Sequence, residues 1–255
     1  MAIFHSAMEF ARPAAAGQNA ERLMTPTEKV RKEQSIQVNS QASLAADLRT
    51  RGCPVCNYVI KMARDFFAHW QYALSSDEAA QESFATELGF CPRHAWQLHS
   101  MSSPWGESIG LAALTEKIAR ALAITECDET ASSNVYKIPR VPENCRVCAM
   151  LKDAETAYVE CLATFISDDE GAQLYKRSGG LCLPHLARML AIVSKPVRKF
   201  LLTTASRRFE QVTQQMRNYA VKREALRCDL ISADEEDASL RALIHLVGAE
   251  EYCAP

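Results

Sequence analysis

Two stretches of this chain share one amphipathic rhythm. After Cys56, the apolar residues Val59, Ile60, Ala63, Phe66, Phe67, Trp70, Ala73 and Leu74 recur at three- and four-residue spacing, which predicts an amphipathic helix. After Cys148, Leu151, Ala154, Tyr158, Leu162, Phe165 and Ile166 predict a second. Ser75, Ser76 and Asp77 break the first pattern, and Ser167, Asp168 and Asp169 break the second; all are residue types that cap a following helix. Another helix opens at each Cys-x-x-His, with Ala95, Leu98 and Met101 or Leu186, Met189 and Leu190 on its apolar face. A longer helix then follows in each half, near Trp105 to Ile124 after Ser103-Pro104, and near Lys195 to Arg227 after Ser194, with Pro196 in its first turn. A last helix is expected over Glu236 to Val247, packing back through Leu240, Leu243, Ile244 and Val247.

The rhythm belongs to an internal repeat. Cys53-Pro54-Val55-Cys56 matches Cys145-Arg146-Val147-Cys148 at an offset of 92 residues, and Asp77-Glu78-Ala79-Ala80-Gln81 matches Asp169-Glu170-Gly171-Ala172-Gln173 at the same offset. Gly89-Phe90-Cys91-Pro92-Arg93-His94 matches Gly180-Leu181-Cys182-Leu183-Pro184-His185 at 91. The expected architecture is all-α, with two related helical units in tandem at residues 41–126 and 145–228. Residues 127–144 would link them, 1–40 form a mobile N-terminal segment, and 229–255 supply a C-terminal helix and tail.

Composition agrees with that class and narrows the setting. The chain has 255 residues, 48% of them hydrophobic, with only nine glycines and ten prolines, so a helical core is expected. A net charge of -2 gives no global attraction to nucleic acid or an anionic membrane. No apolar run reaches the roughly 20 residues that span a bilayer, and the N-terminus lacks the pattern of a signal peptide, so the expected location is cytoplasmic. In a reducing compartment, ten cysteines point to metal ligands rather than disulfides.

The spacing of those cysteines carries the chemistry. Soft thiolates and imidazole suit zinc, with ligand atoms converging at about 2.0–2.3 Å. Two residues separated by two others at a helix mouth turn to the same side, where exposed N–H groups and the positive dipole end favour thiolate. Cys53, Cys56, Cys91 and His94 form one candidate set, and Cys145, Cys148, Cys182 and His185 the other, with 34 and 33 residues between the paired motifs. Each set is expected to close within its own unit around one Zn²⁺, because local closure costs less chain entropy; exchange of ligand pairs between units is the alternative. Fe–S clusters at the same ligands are the alternative to two zinc ions, which would make the chain an electron-transfer or redox-sensing protein. Four protein ligands leave no open position for catalysis at zinc.

Other features take plainer readings. Cys161 reads as a small mid-helix hydrophobe, and Cys127, Cys228 and Cys253 have no partner at ligand spacing. His99 and His245 read as surface or core histidines, and the Asp77-Glu78 and Asp169-Glu170 pairs as first-turn acids at helix N-termini rather than catalytic carboxylates. No phosphate loop, nucleophile elbow or dinucleotide fingerprint is present, so no enzyme activity is indicated. Lys195 to Arg227 holds nine basic and two acidic residues beside an apolar stripe of Val197, Leu201, Ala205, Phe209, Val212, Met216 and Tyr219. Such a helix could bind nucleic acid or an acidic protein, but its basic face is expected to pair with acids elsewhere in this chain.

The combination of Cys-Pro-x-Cys, an amphipathic helix, Gly-Phe-Cys-x-x-His-Ala-Trp and a second Cys-x-x-Cys over Gly52 to Ile192 resembles a bacterial family of helical proteins of unknown function. The second half departs from it at Arg146 and at Leu186-Ala187, while keeping all four ligand types. The resemblance implies no settled activity. The functional expectation is a metal-binding helical scaffold or accessory protein that acts through a protein partner.

Overall fold

A computed structural model of the chain describes residues 41–124, 141–224 and 227–249. The expected mobile segment 1–40, most of the linker, Cys127 and Cys253 lie outside the described residues. Every regular element among the described residues is helical, and no described helix is long and apolar enough to cross a membrane.

The first half runs α1 (Gln41–Asp47), α2 (Pro54–Ser76), α3 (Glu78–Thr86), α4 (Pro92–Met101) and α5 (Pro104–Ile124). After a 3-10 turn at Pro142–Asn144 come α6 (Arg146–Ile166), α7 (Asp169–Arg177), α8 (Leu183–Ile192) and α9 (Lys195–Glu224). A second 3-10 turn, Cys228–Leu230, leads to α10 (Ala233–Glu236) and α11 (Ala238–Val247). The helix order from α2 to α5 thus recurs from α6 to α9.

Local chemistry starts these helices where the sequence places them. Asp77 caps α3, its carboxylate accepting from the Ala79 N–H at 2.9 Å. Asp168 is the N-cap of α7, which carries Asp169 and Glu170 in its first turn, as the dipole favours. The Ser103 hydroxyl accepts from the Gly106 N–H ahead of α5.

The two halves share one core, formed where α2 packs against α6. Phe66, Phe67 and Trp70 of α2 and Leu151, Tyr158, Leu162 and Ile166 of α6 are all buried. Tyr58 stacks on Tyr158 with ring centroids 4.5 Å apart, and the Tyr158 hydroxyl donates to Asp47 at 2.8 Å, tying in α1. Arg146 lies over the Trp70 ring at 5.0 Å and pairs with Glu87 and Ser83. These contacts make the second half a wall of the first.

Some expected faces point elsewhere. Ala95 is exposed, because His94, Leu98 and Met101 share the inward face of α4 at i, i+4 and i+7. The C-terminal segment is split at Asp237, and Leu240 and Leu243 face solvent. Its inward face is set instead by Ala238, Arg241 and His245: Arg241 donates to Gln215, and His245 packs edge-on against Phe209 of α9. The basic charge of α9 is partly engaged at home, with Arg208 donating to the Tyr175 and Ser178 carbonyls, Arg198 to Leu190, and Lys222 to Glu235.

Candidate metal centres

All eight ligand residues singled out in the sequence are buried, and they converge in two groups of four. The grouping differs from the one expected. Cys53 and Cys56 meet Cys182 and His185, while Cys91 and His94 meet Cys145 and Cys148. Each group joins a Cys-x-x-Cys from one half to the Cys-x-x-His of the other, so the outer pairs enclose the inner ones along the chain. Within-unit closure is therefore corrected: packing of α2 on α6 brings each helix mouth to the opposite half.

Helix starts supply the ligands. Cys53, Cys91, Cys145 and Cys182 are the N-cap residues of α2, α4, α6 and α8, each with extended backbone and no side-chain cap hydrogen bond. Their sulfurs are thereby free to turn away from the helix, toward the partner motif. The second ligand of each motif lies in the first turn on the same side. Gly89 and Gly180, just before the Cys-x-x-His motifs, have φ of +75° and +80°, a conformation that L side chains rarely adopt. A Cβ at Gly180 would also meet the Arg208 guanidinium.

Distances within each tetrad match a single ion. In the first, Nδ1 of His185 lies 3.4 Å from the sulfurs of Cys53 and Cys56 and 3.0 Å from Cys182, and Cys56 is 3.7 Å from Cys182. In the second, Nδ1 of His94 lies 3.3 Å from Cys91 and Cys148 and 3.6 Å from Cys145, with Cys91 at 3.8 Å from Cys148. A tetrahedron with bonds of about 2.3 Å to sulfur and about 2.05 Å to nitrogen has edges of about 3.8 Å between sulfurs and about 3.6 Å between sulfur and nitrogen. Sulfurs bonded to each other would sit at about 2.05 Å, and all six are free thiols.

Electrostatics point the same way. Burial opposes charge on Cys145, yet hydrogen bonds from His94 and from nearby backbone N–H groups bring its thiol down to about 6. Contacts with Cys53 and Cys56 lower that of Cys182. Burial and neighbouring thiolate charge push Cys148 up to about 12, and contact with Cys182 and Cys53 raises Cys56. Burial disfavours a charged His185, but Cys182, Cys53 and Glu155 outweigh it and raise the imidazole to about 11. Three thiols and an imidazole packed this closely cannot all shed their protons without a cation among them.

Two contributors escaped the sequence reading. Glu155 is fully buried, with its carboxylate 2.7 Å from Nε2 of His185 and its other oxygen 2.7 Å from Arg188. Its signal was a charge on the apolar face of α6, four residues after Leu151 and three before Tyr158. The second is the backbone of Ala249, just beyond α11, which opposes the upward shift of the Cys56 thiol. Cys161 is partly buried against the core, and His99 pairs with Glu107 at 2.8 Å; neither joins a tetrad.

The two buried Cys/His tetrads suggest metal binding on geometry and donor chemistry alone, since the chain matches no protein-family model and no curated protein or solved structure is significantly similar to it.

Proposed function

We propose that this chain binds two zinc ions, one in each Cys₃His tetrad, and serves as a metal-stabilised helical scaffold or accessory protein acting through a protein partner. The observation that carries the metal reading is the packing of each tetrad, whose four donor atoms lie within 4.8 Å of one another. That space suits one ion. A multi-iron cluster spreads its ligands over different irons and needs them farther apart, so the donor spacing favours zinc over Fe–S electron transfer. A filled shell of three thiolates and one imidazole assigns the metal a structural role. When bound, the ions would cross-link the two halves, which we read as copies of one duplicated unit, at both ends of the α2/α6 contact. Cys53, Cys56, Cys182 and His185 would hold one ion, and Cys91, His94, Cys145 and Cys148 the other. Support for a partner comes from the exposed aromatic side chains of Tyr72, Trp96 and Trp105, each about 70% accessible.

Anaerobic purification, followed by metal analysis and a visible spectrum, tests the reading. Two zinc ions per chain and no visible absorption are expected. A brown protein containing iron and acid-labile sulfide would overturn it in favour of clusters, and a metal-free folded chain would overturn both.

A further inference from the structure

The two tetrads share donor types and spacing but not surroundings. Nε2 of His185 faces the buried carboxylate of Glu155, itself held by Arg188. Nε2 of His94 is also buried but has no hydrogen-bond partner among the described residues, and the nearby Phe67 ring has its centroid 6.1 Å from that of the imidazole. The chain's own repeat locates the difference. Glu155 follows Ala63 by 92 positions, the offset between Cys53 and Cys145; Arg188 follows Gln97 by 91, the offset between Cys91 and Cys182. One histidine thus has a carboxylate and an arginine at the positions where the other has alanine and glutamine.

Placing an ionised carboxylate in a helical core is costly unless it is paired. Here its partners are the Arg188 guanidinium and the imidazole nitrogen on the far side of the ring from the thiols. A carboxylate that accepts from this N–H fixes the ring's orientation and tautomer and makes Nδ1 a stronger donor, while an imidazole without such a partner has neither aid. Access differs in the same sense: Cys148 is 8% exposed, the most of the eight ligand residues.

Building on the two-ion reading above, we propose that Glu155 acts as a positioning residue that makes the Cys53/Cys56/Cys182/His185 tetrad the tightly held metal site, leaving the Cys91/His94/Cys145/Cys148 tetrad as the exchangeable one. Metal leaves the second site first and is restored to it last. The chain therefore combines a permanent staple with a site able to give metal to, or take it from, a competing thiol or chelating ligand.

The full-length chain loaded with two zinc ions is challenged with excess 4-(2-pyridylazo)resorcinol while an alkylating agent marks thiols as they are freed. Two steps of one ion each are expected, with rates at least about tenfold apart. Peptide mapping should find Cys91, Cys145 and Cys148 alkylated with the fast step, and Cys53, Cys56 and Cys182 with the slow one. Glu155→Gln, which keeps the side chain's size, should accelerate the slow step by about 10- to 100-fold and leave the fast step unchanged. In nitrogen-15 imidazole spectra of the zinc-loaded protein, the His185 Nε2–H proton should lie far downfield and move upfield in Glu155→Gln, a change that a purely packing role would not produce. Equal release rates, the reverse alkylation order, or a slow step unaffected by Glu155→Gln would overturn the inference while leaving two-zinc binding intact. A chain that takes up no zinc overturns the metal reading and this inference together. Should Glu155→Gln fail to fold, the alkylation order in the unmodified chain decides.

Discussion

Pairing of ligands across the halves can be tested with two double variants. Cys53→Ser with Cys182→Ser removes two ligands from one tetrad and leaves the other complete, so about one metal per chain should remain. Cys53→Ser with Cys91→Ser takes one ligand from each tetrad and should leave about none after dialysis against a chelator. Closure within each half reverses the two outcomes. The entropic preference for local closure is small: closing Cys56 to Cys182, 126 positions apart, rather than to Cys91, 35 positions away, costs about 1 kcal/mol more. Structural zinc contributes apparent binding free energies of about 10–16 kcal/mol per site, and the buried contact of α2 with α6 is formed whichever way the chain closes. Loss of one ion is comparable to the whole stability of an ordinary domain, so metal content is measured by plasma mass spectrometry on the folded, gel-filtered fraction. A readout without mutation is mild oxidation of the metal-free chain followed by non-reducing peptide mapping. Cross-links between segments should join Cys56 to Cys182, at 3.7 Å, and Cys91 to Cys148, at 3.8 Å. Cross-links joining Cys56 to Cys91 and Cys148 to Cys182, together with reversed stoichiometries, would refute the reasoning.

Arg146→Ala should cost about 1–3 kcal/mol in urea denaturation of the metal-loaded chain, since it removes the contacts with Glu87, Ser83 and the Trp70 ring; Arg146→Lys should recover only part, lacking the planar fork. Gly180→Ala should cost at least about 1–2 kcal/mol by the same measurement, because its φ of +80° disfavours a side chain and the new methyl displaces Arg208 from the Tyr175 and Ser178 carbonyls. His245 titrates below its ordinary value of 6.5, chiefly because burial disfavours the charged ring, with Arg208 and Arg241 acting in the same direction. Its contribution to stability is thus present above 6.5 and falls as the pH drops below that value. Melting temperatures at neutral pH and near pH 5 should show a smaller loss for His245→Gln than for the unmodified chain, and an equal loss would exclude this role.

Local patterns made much of the molecule legible. Apolar residues at three- and four-residue spacing located α2 and α6, and Asp77 and Ser103 marked helix starts, because helix geometry and capping act over a few neighbouring residues. The same locality identified the ligand residues: at a helix mouth, i and i+3 turn together whatever the rest of the chain does. Gly89 and Gly180 carried their backbone requirement in their identity. Orientation of weakly patterned segments was less legible. Ala95 and Leu240 lost their expected inward places to His94, whose Nδ1 meets three sulfurs, and to Arg241 and His245, which meet Gln215 and the Phe209 ring, contacts that hydrophobicity does not encode.

What tertiary structure alone decided was which helix mouths face each other. The sequence determined eight candidate ligands and four helix starts, but two Cys-x-x-Cys and two Cys-x-x-His motifs are chemically interchangeable, and an entropy difference of about 1 kcal/mol is too small to choose between pairings. The choice came from the apolar faces of α2 and α6, which bury each other and carry each Cys-x-x-Cys to the opposite half's histidine. Glu155 follows the same logic, since its charge on an apolar stripe gains a physical purpose only once the fold sets His185 and Arg188 beside it.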